Sequence, residues 1–160
     1  MTLCYLGLGS NLNNPERQIR RAIDSLRKLP SSNVVKVARF YRSKAFGRKA
    51  QPDYCNTVIA MNTALRPDQL LWYCQKVERQ QGRIRKEHWG ARTLDIDVLL
   101  FGSQKINSFK LKLPHPRLHQ RDFVMVPLLE IASIPIKIDG ADLSTLITSN
   151  QCCSTLKTYR

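Results

Sequence analysis

The sequence predicts an α+β protein, a ferredoxin-like α/β sandwich with helices on one face of an antiparallel sheet and long mobile loops. Three observations carry this. Apolar, β-branched runs and two stretches of helical periodicity follow one another in the order β-α-β-β-α-β. Both helical stretches open on a proline suited to a first helical position, Pro15 and Pro67. Two gaps at 42–53 and 82–93 are longer than a compact domain needs for simple connections.

Taken in order, Leu3 to Leu8 reads as the first strand, closed by Gly9, Ser10 and Asn11. Asn14 is the expected N-cap of the first helix, whose buried stripe is Ile19, Ala22, Ile23, Leu26 and Leu29, with Pro30 as terminator. Val34 to Tyr41 reads as a second strand and Asn56 to Thr63 as a third. The second helix, 66–82, buries Leu70, Cys74 and Val77 and stops at Gly82. In "RTLDIDVLLFG", 92–102, Leu94, Ile96, Val98 and Leu100 fall on one face, and Asp95, Asp97, Leu99 and Phe101 on the other. Beyond it come short extended pieces around 104–113, a Pro-His-Pro break at 114–116, a helical run from about 122 to 132, an "IDG" turn and a helical turn at 143–148. No repeat or linker divides the chain, so 1–160 is expected to be one domain.

The chain has 26 basic and 12 acidic residues, a net charge of +14. That imbalance favours an anionic partner: nucleic acid, an acidic membrane or a phosphorylated small molecule. The first ten residues hold an apolar stretch too short to span a bilayer and no preceding basic segment, which predicts a cytosolic protein without a secretory signal. Five cysteines, with no C-x-x-C pair, read as reduced thiols.

Asp95 and Asp97 are the first candidates for chemistry. Two residues apart in a strand, they lie roughly 6.5–7 Å from each other. As anions they repel by about 2–2.5 kcal/mol at an effective dielectric near 20. A D-x-D also fits pairing with nearby arginines, but hard cations such as Mg²⁺ use this kind of carboxylate pair together with water and substrate phosphates. The preceding loop, "GRIRKEHWGAR" at 82–92, offers Arg83, Arg85, Lys86 and Arg92, whose planar guanidinium groups suit phosphate oxygens. Bracketed by glycines, it reads either as a solvated basic loop or as a lid. "QPDYCN" at 51–56 places Tyr54 and Asn56 on one side of a strand, a flat ring beside an amide that donates and accepts. "LPHPRLHQRDF" at 113–123 adds His115, Arg121 and Phe123.

Four ordered motifs, "GLGSNL" at 7–12, "QPDYCN", "RTLDIDVLLFG" and "LPHPRL" at 113–118, together resemble the 6-hydroxymethyl-7,8-dihydropterin pyrophosphokinases of folate biosynthesis. The resemblance runs from residue 5 to about 142. It implies a cytoplasmic monomer that moves the β,γ-pyrophosphoryl group of ATP to the pterin hydroxymethyl group and releases AMP, with two Mg²⁺ ions. It implies Asp95 and Asp97 as metal ligands and, with Arg83 and Arg92, as the catalytic set. Lys86, His115 and Arg121 would be further phosphate contacts, and Leu71, Gln75 and Glu78 would border the ATP site. Tyr54 and Phe123 would sandwich the pterin and Asn56 would read its edge, with Ser43, Phe46 and Trp89 as neighbours. Departures from the family pattern occur in "RSKAFG" at 42–47, at Ala91 and at Pro116. An alternative reading is a basic ferredoxin-like module that binds RNA without catalysis.

Overall fold

Leu6 and Leu8 alternate with Gly7 and Gly9 along the first strand, and this alternation gives the two faces of the sheet different fates. The computed structural model describes residues 1–45, 51–83, 93–138, 140–149 and 156–158. Strand β1 (Thr2–Ser10) lies between β4 (Tyr54–Thr63) and β5 (Asp95–Phe101), antiparallel to both. β2 (Ser32–Val37) and β3 (Tyr41–Ser43) pair with successive parts of β4, and β10 (Lys157–Thr158) extends the sheet beyond β3.

One face carries Cys4, Leu6, Leu8, Ile59, Met61, Ile96 and Val98. Helices α1 (Pro15–Leu26) and α2 (Pro67–Gln80) bury Ile19, Ile23, Leu26, Leu70, Cys74 and Val77 against it. The Asn14 side chain accepts the Arg17 N–H at 3.3 Å, the expected N-cap, with Pro15 next. The helix ends at Leu26, short of Pro30, so Leu29 packs on the core only from the following turn. α2 ends through Gly82 at φ 77°, which lets its N–H reach the Arg79 carbonyl at 3.0 Å while the Arg83 N–H reaches that of Glu78 at 3.1 Å. This paired closure is a Schellman motif, and it sets Arg83 at a defined place beyond the helix.

The opposite face is covered too, which the expectation of helices on one face did not include. There α3 (Asp122–Ile131) and α4 (Leu143–Ser149) bring Val124, Met125, Leu128, Ile131 and Leu143 onto Tyr5, Val58, Ala60, Leu99 and Leu100. Those sheet residues are apolar and need a second layer to leave water. Between β5 and α3 the chain forms β6 (Ile106–Asn107), β7 (Lys112–Leu113) and a 3₁₀ turn at Leu118–Gln120; β8 (Lys137–Ile138) and β9 (Ala141–Asp142) form a hairpin after α3.

Two further expectations require correction. The single strand expected at Val34–Tyr41 is divided into β2 and β3. Val37 faces Ile59 and Tyr41 faces Asn56, so four steps on one side match three on the other and one residue is extra. The second correction falls in β5, where Leu6 faces Val98 but Tyr5 faces Leu100, leaving Leu99 as a bulge. An inserted residue inverts the alternation beyond it. Leu100 therefore joins Leu99 beneath α3, and Phe101 turns to the α1–α2 side, opposite to the sequence reading. Asp95 and Asp97 precede the bulge and keep their shared face.

Among the described residues no helix is long and apolar enough to cross a membrane. Cys4, Cys55 and Cys74 are free and buried. Burial pushes the Cys4 and Cys55 thiols up to about 12 and raises Cys74 as well, which keeps all three unreactive. Cys152 and Cys153 lie outside the described residues.

Candidate active site

Gly9 faces Asn56 of β4 on one side and Asp95 of β5 on the other, and Gly7 faces Val58 and Asp97. Directly opposed residues share a face. Asn56, Gly9 and Asp95 therefore form a row across three strands, the amide and the carboxylate anchored two strand spacings apart, about 10 Å. Gly9 leaves the middle of that row without a side chain. A Cβ on Gly9 would stand 3.1 Å from Asn56 Oδ1 and 4.0 Å from Tyr54 Cδ1, so the absence of one is what gives the amide its room. Asn56 is buried, and its Nδ2 donates to Ser43 Oγ at 2.8 Å, which holds the amide plane. Tyr54 lies two residues earlier on the same face, and Phe123, in the first turn of α3, is partly buried against the core on that side of the sheet.

The carboxylate end is held by cations. Asp95 Oδ1 lies 2.6 Å from Arg83 Nη1, and Asp97 Oδ2 lies 3.6 Å from Arg121 Nη1. Arginine pairing, left open for an isolated D-x-D, is thus present here and offsets the mutual repulsion. Arg121 also stacks over Phe123, 5.8 Å from the ring centroid. His115 Nε2 sits 3.8 Å from Asp97 Oδ2. Burial, reinforced by Arg121 and Arg117, pushes the His115 ring down to about 4, so at neutral pH this contact joins a neutral imidazole to the carboxylate and is not an ion pair. The bulge positions this histidine, because the Leu99 carbonyl accepts the His115 backbone N–H at 2.9 Å.

These residues suit Mg²⁺ as donors. The ion usually takes one or two carboxylates and completes its shell with water and substrate phosphates. Asp97 keeps 36% of its side-chain surface exposed and Asp95 22%. Among the described residues no group of three His, Cys, Asp or Glu side chains is placed to hold a metal.

Of the α2 residues expected at the ATP site, Leu71 and Gln75 are half-buried and Leu71 packs on the core. Glu78 is buried inside the protein. Its Oε1 accepts the Ile96 backbone N–H at 2.7 Å and pairs with Arg83, which bridges it to Asp95. Arg83→Ala removes the charged partner of a buried carboxylate and is expected to lower stability by about 3–5 kcal/mol. A urea midpoint equal to that of the unaltered protein would show that the pair carries no such load. Phe46, Lys86, Trp89 and Arg92 lie outside the described residues.

Sequence reasoning gave Ser10 and Asn11 no individual role, reading them only as the close of the first strand and as part of the motif at 7–12. Both are fully buried. Ser10 Oγ donates to the Thr93 carbonyl at 2.6 Å, and Asn11 Nδ2 to that of Pro52 at 3.2 Å, so consecutive residues fasten the chain entering β5 and the chain entering β4. Their signal was the presence of two consecutive polar residues at the end of a buried strand.

The profile described as 7,8-dihydro-6-hydroxymethylpterin-pyrophosphokinase (HPPK) matches residues 5–133. The chain belongs to this family. It is 45% identical over 133 residues to the 2-amino-4-hydroxy-6-hydroxymethyldihydropteridine pyrophosphokinase of Haemophilus influenzae, covering 83% of each chain. To the enzyme of that name from Pseudomonas aeruginosa it is 41% identical over 145 residues, 91% of this chain and 90% of the other. Among solved structures, Plasmodium falciparum HPPK-DHPS crystallised with pteroate superposes with a TM-score of 0.70 at 12% identity. That match covers 92% of this chain but 42% of the other, so the chain spans about two fifths of the HPPK-DHPS protein and shares the fold of that portion. HPPK relatives lend no support to the RNA-binding alternative.

Proposed function

We infer that this HPPK family member transfers the β,γ-pyrophosphoryl group of ATP to 6-hydroxymethyl-7,8-dihydropterin in folate biosynthesis. The hydroxymethyl oxygen attacks the β-phosphorus, the bond between that phosphorus and the α,β-bridging oxygen breaks, AMP departs, and the hydroxyl proton passes to solvent. The row Asn56, Gly9, Asp95 is the observation that carries this reading, since it sets an amide for a heterocycle edge about 10 Å from a carboxylate, with only a glycine between them.

In this reading the pterin lies over Gly9, its edge hydrogen-bonded by Asn56, which Ser43 orients, and its faces against Tyr54 and Phe123. Phe46 and Trp89, outside the described residues, are assigned as pterin neighbours from the family resemblance alone. Asp95 and Asp97 would hold two Mg²⁺ ions, which when bound supply positive charge to the triphosphate. Arg83, Arg92, Arg121 and Lys86 would neutralise phosphate oxygens, and His115 would contribute a ring hydrogen bond. Leu71 and Gln75 border the nucleotide. The reading takes the enzyme to act as a monomer in the cytosol.

A coupled assay for AMP release with ATP, Mg²⁺ and the hydroxymethyl pterin tests this directly. Absence of pterin-dependent AMP would overturn it. Asn56→Ala is expected to weaken pterin binding by about 1–3 kcal/mol through hydrogen bonds lost or left unsatisfied, and to spare ATP affinity. Calorimetry showing the reverse would exchange the two sites.

A further inference from the structure

Arg83 is held twice by one residue. Its backbone N–H bonds the Glu78 carbonyl at 3.1 Å through the helix-ending turn at Gly82, and its guanidinium pairs with the Glu78 carboxylate. That carboxylate is 5% exposed and also accepts the Ile96 N–H at 2.7 Å, on the edge of β5 between the two aspartates. Arg83 is itself 13% exposed and its Nη1 lies 2.6 Å from Asp95 Oδ1. One acid thus fixes the position of an arginine and of the strand segment that presents Asp95 and Asp97.

We propose that Glu78 is a positioning residue for transfer, acting through Arg83 rather than on the nucleotide. The proposal rests on the pyrophosphokinase reading above. Its physical basis is competition for one guanidinium: with Glu78 charged, Arg83 is shared between two carboxylates and kept at the β5 edge. With Glu78 neutral, its full charge falls on Asp95, pulling that carboxylate and the arginine out of their working geometry. Burial makes the effect strong, because water does not screen the pair. A sub-ångström to 1 Å misplacement of such a group lowers the rate by up to about 100-fold without necessarily altering ground-state binding.

Glu78→Gln separates the two tasks of the carboxylate. An amide oxygen can still accept the Ile96 N–H, but the negative charge is gone. The expected result is a folded protein whose single-turnover rate falls about 10- to 100-fold while the dissociation constant for a non-hydrolysable ATP analogue changes less than about threefold. Glu78→Asp, which restores the charge on a shorter arm, should recover part of the rate. Removing Arg83 from the Glu78→Gln protein should cost less than about threefold more, since the arginine is already misplaced. That double variant leaves no buried carboxylate at 78 without its partner, and thermal melts confirm that each protein is folded.

The proposal is overturned by a Glu78→Gln rate equal to that of the unaltered enzyme. It is overturned equally by a loss of nucleotide affinity as large as the loss of rate, or by a full further loss when Arg83 is removed. Should the Gln variant fail to fold, the Asp variant decides: a rate loss at unchanged nucleotide affinity supports the proposal, and an unchanged rate overturns it. An unaltered enzyme that forms no AMP with the pterin would instead sink the underlying reading, so the two failures are distinct.

Discussion

Asp97→Ala is expected to reduce turnover about 10³-fold or more while leaving the fold intact. Loss of a group that supports developing charge in a preorganised site has effects of about 10²–10³ in rate, and loss of a metal ligand adds to it. Stability should move little. Asp97 is 36% exposed and its Arg121 partner stands 3.6 Å away, the geometry of a pair contributing about 0–1 kcal/mol. Removing one of two neighbouring anions works in the opposite direction, toward a slightly higher melting temperature. Calorimetry of ATP binding with and without Mg²⁺ supplies the second readout, with the Mg²⁺-dependent part of the affinity expected to vanish. Turnover within tenfold of the unaltered enzyme would remove Asp97 from the metal site.

The second large effect is expected on the pterin side. In Gly9→Val the new Cβ would lie 3.1 Å from Asn56 Oδ1, so the amide must shift and its 2.8 Å bond to Ser43 must stretch or break. The two methyl groups would also occupy the floor on which the ring is proposed to lie. Pterin affinity should fall by about 2–3 kcal/mol, roughly 30- to 150-fold, with ATP affinity retained. Valine is favourable in a strand, so β1 itself should persist, as circular dichroism can verify. Undiminished pterin affinity would mean that the ring does not lie over β1.

Local chemistry alone determined much of this protein. Asn14-Pro15 opens α1 because a side-chain acceptor followed by a residue with no N–H meets the needs of a helix start within two positions. Gly82 closes α2 because it reaches φ 77° without strain. The common face of Asp95 and Asp97 follows from the two-residue period of a strand. Other features were decided only when distant segments met. The bulge at Leu99 arises from how β5 registers against β1, which no spacing within 92–102 records. It turns Leu100 and Phe101 to unexpected faces and frees a carbonyl to place His115 beside Asp97. Glu78 reads as one more polar residue on a helix until β5 arrives beside it and makes its carboxylate a buried partner of Ile96 and Arg83. Ser10 and Asn11 read only as the close of a strand until the segments at Thr93 and Pro52 meet them. Periodicity reports what one segment requires of its own two sides. Which backbone groups of other segments will need a partner at those positions is set by strand register and layer packing, and these join residues tens of positions apart.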